Sequence, residues 1–319
     1  MQRSETSASE TSASATDPPY LAVPEPPGEL LDVGGHRMHL YCTGEGERTV
    51  PLEAGLGDFS LVLRPLQEEL AGTTRVCTYD RAGYGWSEPG PTPRTGKRIV
   101  FELETLLEAA EEPGPYVLAG HSFGGLTMLI FAETHPDEVA GVVLIDSSHP
   151  GQDEAFAAVP AFVDAQEADL ARRQYIARRA ESGLIGAAEA LPAAPTWLPL
   201  ELRHQWAALV VRPHNLRASL AEEAGWSETT AQVGGQGSLG DIPLIVVAAG
   251  LGFAETERGL ALTLEEAERV GSIWRSLQED HLTRSTNAQL VAAENSGHYV
   301  YVDEPALVVD AIRDLTTID

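Results

Sequence analysis

The stretch Tyr116-Val-Leu-Ala-Gly-His-Ser-Phe-Gly-Gly-Leu-Thr-Met-Leu-Ile-Phe131 constrains this chain more than any other. It opens on a short apolar run that fits a buried strand and closes on a helical pattern from Leu126 to Phe131. Between them lies Gly120-His-Ser-Phe-Gly124, a G-x-S-x-G. A strand-to-helix turn of that composition projects its serine hydroxyl from the strand end, the arrangement called a nucleophile elbow. The two glycines answer a steric need, because a side chain at either place would meet neighbouring backbone. Gly125 lets the following helix pack close. The pentapeptide alone could be an ordinary turn; a strand before it and a helix after it give it meaning.

The rest of the chain repeats that rhythm. Glu29–Val33 and Arg37–Cys42 read as a hairpin about Gly34-Gly35. Thr49–Ala54, Thr74–Tyr79, Val139–Ile145, Ile242–Ala248 and Gln289–Ala293 read as strands, most of them near-continuously apolar. Helical spacing marks Leu61–Leu70, Lys97–Ala110 and Pro305–Leu315. Strands apolar on both faces, alternating with helices, predict a parallel α/β sheet covered on both sides. Residues 151–240 break the pattern. They hold no convincing strand, are Ala/Glu/Arg-rich and carry Phe156, Phe162, Trp197, Trp206 and Trp226, read as exposed. An excursion of that size between two strands is expected to be a helical lid over the strand ends, where α/β sheets bind ligands. Residues 1–27 begin with a Ser/Thr/Ala/Glu-rich, aperiodic segment and are expected to be a flexible tail with a proline-stiffened end.

Composition narrows the partners. Asp and Glu number 48 against 21 Lys and Arg, a net charge of −27. That field repels phosphate backbones and argues against nucleic acid as a ligand. No run of about 18 apolar residues is present, so no membrane span is expected, and no signal peptide is visible; a cytoplasmic location is the expectation. Cys42 and Cys77 are read as two buried thiols, with a single disulfide as the alternative, and no metal or redox spacing occurs. No cofactor is expected.

A serine hydroxyl needs a base, an orienting acid and donors for an oxyanion. After such an elbow the order is Ser, then Asp or Glu, then His. His298, in Asn295-Ser-Gly-His-Tyr after the last strand, is the candidate base. His121 reads as structural, and His149 or His281 could line the pocket. The acid is open between two places. Asp146 stands at the tip of the Val142–Ile145 strand; Glu255, with Glu257 behind it, lies in the loop after the next strand, which holds no Asp. The reading favours Asp146, since a carboxylate at a central strand tip is costly unless hydrogen-bonded, and an imidazole would supply that bond. The oxyanion donors are expected to be the backbone N–H groups of Phe123 and of Leu56, the latter in Ala54-Gly-Leu-Gly57.

Asp80-Arg-Ala-Gly-Tyr-Gly-Trp-Ser-Glu-Pro-Gly-Pro91, Pro115–Gly125, Val143–Pro150 and Ser296–Pro305 together resemble signature blocks of the α/β-hydrolase superfamily, in particular its bacterial lid-bearing serine hydrolases. The resemblance covers about residues 28–150 and 241–316. It implies an α/β-hydrolase fold: an eight-stranded, mostly parallel sheet flanked by helices, with the core formed by 28–150 and 241–319 and the 151–240 lid inserted after the sixth strand. It implies Ser122 as nucleophile, His298 as base and the Leu56 and Phe123 loops around the oxyanion. Ala54-Gly55 departs from the usual His-Gly, and the usual acid position lacks Asp. The expected activity is hydrolysis of an ester, thioester or similar acyl bond in a small, apolar or aromatic substrate. The serine argues against dehalogenase and epoxide-hydrolase chemistry, which in this fold uses Asp at that place. An acyltransferase, a thioesterase-cyclase or a lyase of the same fold is the alternative, and a ligand-binding protein on a hydrolase frame a more distant one.

Overall fold

The computed structural model describes residues 22–251 and 262–317. Eight strands form one sheet: β1 (Glu29–Asp32), β2 (Arg37–Thr43), β3 (Thr49–Glu53), β4 (Arg75–Tyr79), β5 (Tyr116–His121), β6 (Val139–Ile145), β7 (Leu244–Ala249) and β8 (Ala288–Ala293). Their order across the sheet is β1-β2-β4-β3-β5-β6-β7-β8. β1, β2 and β4 pair antiparallel, and every pairing from β4 to β8 is parallel. The expected mostly parallel sheet is therefore present, with the Gly34-Gly35 hairpin at one edge.

The apolar runs of the central strands are buried on both faces because each of these strands feeds two cores, whereas the edge strands β1 and β8 are largely exposed or half-buried. Val142, Leu144, Leu244 and Val246 pack on one side with the helices α2 (Gly96–Ala109) and α3 (Phe123–Thr134). Val143, Ile145, Ile245 and Val247 alternate to the other side, against α1 (Arg64–Leu70) and the C-terminal helix Pro305–Thr316. Period-two alternation splits one apolar run between two layers, so the run needs no polar face.

Between β6 and β7 the chain is helical, as expected: α4 (Gln152–Phe156), α5 (Pro160–Glu181), α6 (Ala187–Ala190), α7 (Leu200–Val210), α8 (Pro213–Ala224) and α9 (Trp226–Gln232). Its aromatics are less exposed than the sequence suggested. Phe156 and Phe162 are buried with Trp274 of α10 (Leu264–Asp280). Trp197, Trp206 and Trp226 are half-buried. An aromatic in a polar helical segment thus marks where the helices meet the core as readily as it marks a surface.

Two further differences have plain causes. Cys42 and Cys77 face each other directly across the antiparallel β2–β4 pair, and they form a disulfide rather than two thiols. Glu112 approaches the same two sulfurs, yet a disulfide leaves no thiolate to ligate a metal. The proline segment before β1 is bonded to the core: the Pro24 carbonyl accepts from Trp86 Nε1 at 2.8 Å, and the Pro27 carbonyl lies 2.5 Å from His39 Nε2. No described helix is long and apolar enough to cross a membrane.

Candidate active site

β5 lies between β3 and β6, and its C-terminal end turns sharply into α3 at Ser122. Ser122 has φ 53° and ψ −121°, a conformation that L residues avoid unless surroundings enforce it. The glycines explain how the turn closes. A Cβ on Gly120 would stand 2.4 Å from the Gly124 carbonyl oxygen, and one on Gly124 would stand 2.7 Å from that of Glu53. The serine is fixed through its backbone: its N–H donates to Ile145 O at 3.2 Å, and its carbonyl accepts from Gly125 and Ser148 at 3.0 Å each.

β6 lies beside β5 and leads directly into Asp146, a second residue with positive φ, 41°. That twist turns the carboxylate sideways across the end of β7, where it is buried. Oδ1 accepts from the Ala249 N–H at 3.0 Å and from Trp274 Nε1 at 2.9 Å. Oδ2 accepts from His298 Nδ1 at 2.7 Å. Three donors answer one buried carboxylate, the condition for keeping such a group charged away from water. Glu255 and Glu257, the alternative acids, lie outside the described residues.

His298 sits on the loop after β8. That loop is tied down by Gly297 N–H to Asp303 Oδ2 at 2.9 Å and by Asn295 N–H to Glu304 Oε2 at 2.8 Å. His121, read as structural, supports the same loop from behind. Its Nε2 lies 2.9 Å from the His298 carbonyl oxygen, so this nitrogen carries the proton. Its ring packs 4.5 Å from the His298 ring and 5.2 Å from that of Tyr299. Burial, followed by the neighbouring His298, holds the His121 imidazole well below its ordinary pKa, so it is a neutral prop. His149 and His281 are bound elsewhere: His149 Nε2 meets Asp280 at 3.0 Å, and His281 Nδ1 accepts from Arg284 Nε at 3.2 Å.

The Ala54–Gly57 loop follows β3 and lies against the elbow; a Cβ on Gly55 would stand 3.2 Å from that of Ser122. Leu56 packs against the cluster of Ile99, Phe123 and Leu126 beside the elbow. Phe123 opens α3, where first-turn N–H groups lack acceptors within the helix. Leu56, Ser122 with Phe123, Asp146 and His298 thus follow the ends of β3, β5, β6 and β8, and β7 lies between the last two.

Sequence reasoning missed three residues here. Trp274 bonds Asp146 from a helix far along the chain. Asp58, half-buried beside the loop, accepts from the Tyr299 hydroxyl at 3.5 Å. Burial raises its carboxyl to about 6, with Arg81 and His298 opposing. Arg81 lies beneath the loop, its guanidinium 5.3 Å from the centre of the Phe123 ring. Only Arg81 had a signal, the glycine-rich block after β4.

Residues 52–311 match the sequence profile of the alpha/beta hydrolase family. The chain is 27% identical over 274 residues to an uncharacterized protein, YqjL, of Bacillus subtilis, covering 85% of each. Its fold is similar to that of a thermophilic esterase from Thermogutta terrifontis, with a TM-score of 0.59 and 22% identity over 90% of this chain and 98% of that one. It is similar also to an epoxide hydrolase from Bacillus megaterium, with a TM-score of 0.61 and 15% identity over 90% and 99%. Identities that low speak for the fold alone.

Proposed function

The chain belongs to the alpha/beta hydrolase family, and from that premise we propose that it is a serine hydrolase cleaving an ester, thioester or similar acyl bond through an acyl-enzyme on Ser122. The carrying observation is the 2.7 Å hydrogen bond from His298 Nδ1 to Asp146, on the strand next to the one that ends at Ser122. That bond fixes the proton on Nδ1 and leaves Nε2 as the basic nitrogen.

In this reading His298 Nε2 takes the Ser122 proton as Oγ attacks the acyl carbon. The oxyanion is held by the Leu56 and Phe123 N–H groups. Collapse expels the alcohol or thiol, which takes the proton from His298. Water, activated by the same imidazole, then frees the acid and restores the serine. Asp146 keeps its charge throughout and stabilises the imidazolium. The serine at the elbow speaks against epoxide opening, which would need a carboxylate there. The helices of 151–240 form the lid and the described residues of 28–150 and 241–319 the core. The half-buried Trp197, Trp206 and Trp226 favour an apolar or aromatic acyl group.

Labelling with a fluorophosphonate tests the proposal. The native protein should be modified at Ser122, and Ser122→Ala should lose both label and esterase activity. Full activity in Ser122→Ala would sink it.

A further inference from the structure

Glu222 is a carboxylate with no solvent exposure on α8, far in sequence from the elbow, and the reaction above gives it no part. Its oxygens accept from Arg81 Nε at 2.8 Å and Nη2 at 2.9 Å, a bidentate pair, and Oε2 also accepts from the Tyr84 hydroxyl at 2.7 Å. The two partners reach onward to the Ala54–Gly57 loop. Arg81 Nη1 donates to the Ala54 carbonyl at 2.8 Å and Nη2 to the Gly55 carbonyl at 2.9 Å. The Gly57 N–H donates to the Tyr84 hydroxyl at 3.4 Å. We infer that Glu222 is a positioning residue for the oxyanion loop, acting through Arg81 and Tyr84. This rests on the serine-hydrolase reading.

The physical argument is the planarity of one peptide. The Gly55 carbonyl and the Leu56 N–H belong to the same rigid unit and point in opposite directions. Arg81 and the Asp58 N–H, at 3.2 Å, both hold that carbonyl, so rotating the Leu56 N–H away from the site would break two hydrogen bonds. Arg81 is itself held by Glu222. Glu53 stands further off, 3.5 Å from Nη1, on the β3 side of the loop. Without Glu222 the guanidinium would be drawn towards Glu53, and its grip on the Gly55 carbonyl would loosen. α8 is firmly seated to do this: Asn215 Oδ1 accepts from the Gly85 N–H at 2.9 Å, and His214 Nδ1 lies 2.8 Å from the Gly83 carbonyl. The ion pair is fully buried. Such pairs seldom add stability over apolar packing, so geometry is the better account of it.

A misaimed Leu56 N–H would weaken transition-state binding and leave ground-state binding nearly untouched. In Glu222→Gln, kcat for p-nitrophenyl acetate should fall about 10- to 100-fold, below the full loss of one oxyanion donor, with KM within about threefold. Affinity for a trifluoromethyl ketone, which forms an oxyanion on the serine, should weaken by a comparable factor. A change of stability alone would move neither ratio. Arg81→Lys should behave like Glu222→Gln, because one ammonium cannot span two carbonyls and a carboxylate. Folded Glu222→Gln with native kcat and ketone affinity would overturn the inference. Should that variant not fold, Tyr84→Phe decides, since it removes no charge: about a threefold loss in kcat at constant KM supports the inference, and native kcat overturns it. Fluorophosphonate labelling of the native protein separates the two levels. If Ser122 does not react, the hydrolase reading fails and this inference with it; if it reacts while the variants stay native, only this inference fails.

Discussion

Asp146 and His298, 152 residues apart, are joined by a 2.7 Å hydrogen bond, and the other Asp146 oxygen is occupied by Ala249 and Trp274. This division of labour makes Asp146→Asn informative. The Asn oxygen can keep both donors on the Oδ1 side, so the strand tip should survive. Its NH2 would then face Nδ1 and favour the imidazole tautomer whose Nε2 carries the proton, which cannot act as base. kcat for an ester should drop about 10⁴-fold with the thermal midpoint changed little, and Glu255→Gln should stay near native. A large loss in Glu255→Gln with little in Asp146→Asn would move the acid to the loop after β7.

Trp274 offers a finer test of the same carboxylate. Trp274→Phe keeps a ring facing Phe156, whose centre lies 6.1 Å from the indole, and removes the N–H to Asp146 together with part of the indole's bulk. A hydrogen bond to a charged group is worth about 1.5–3 kcal/mol, and here it aims the carboxylate at His298. The expected loss in kcat is about 10-fold, with KM nearly constant. Steady-state kinetics beside a thermal melt would show whether the indole orients Asp146 or merely fills space; unchanged kcat with a lowered midpoint would mean the latter.

What the sequence could foretell follows from how local each feature is. The elbow was legible because strand, glycines and helix are contiguous. His298 was legible because chain order and a glycine before it marked a loop after the last strand. Asp146 was ambiguous because the choice depends on which strand tip faces the imidazole, a property of the sheet order. The Cys42–Cys77 bond needed the β2–β4 register, in which those two residues oppose each other. Trp274 and Glu222 were invisible for a related reason. Trp274 lies on a polar amphipathic helix and Glu222 on a polar helix with little amphipathic pattern, and nothing local says that either side chain crosses to the site.

The disulfide yields a prediction of its own. Its closed loop spans 35 residues, and a cross-link of that size restrains the unfolded chain by about 2–4 kcal/mol. Among the described residues, none of the hydrogen bonds of Ser122, Asp146 or His298 runs through either cysteine. Reduction, or Cys42→Ser with Cys77→Ser, should therefore lower the thermal midpoint by several degrees and leave kcat at native temperature unchanged. Loss of activity before any unfolding would show that β4 carries strain from the pair to the loop beginning at Asp80.

Glu53 should write a signature on stability against pH. It is buried at the end of β3, where Thr127 Oγ1 donates to it at 2.5 Å. Burial raises its carboxyl from the ordinary 4.5 to about 7, with Arg81 opposing. Between those two values the unfolded chain has released a proton that the folded chain still holds. Stability contributed by Glu53 is therefore full below about 4.5 and is lost as the pH climbs to about 7. The size is on the order of 3 kcal/mol, from roughly 1.4 kcal/mol for each pKa unit. Buried imidazoles such as His121 act with the opposite sign, because they must be charged in the unfolded state at low pH. Comparison with Glu53→Gln removes their contribution, since both proteins carry the same histidines. Denaturant melts of the two proteins at pH 4.5, 6 and 7.5 should show the native protein losing ground to the variant across the series. Parallel curves would mean that Glu53 ionises in the fold at its ordinary pH, and that Arg81 shares its charge between two carboxylates rather than resting on Glu222.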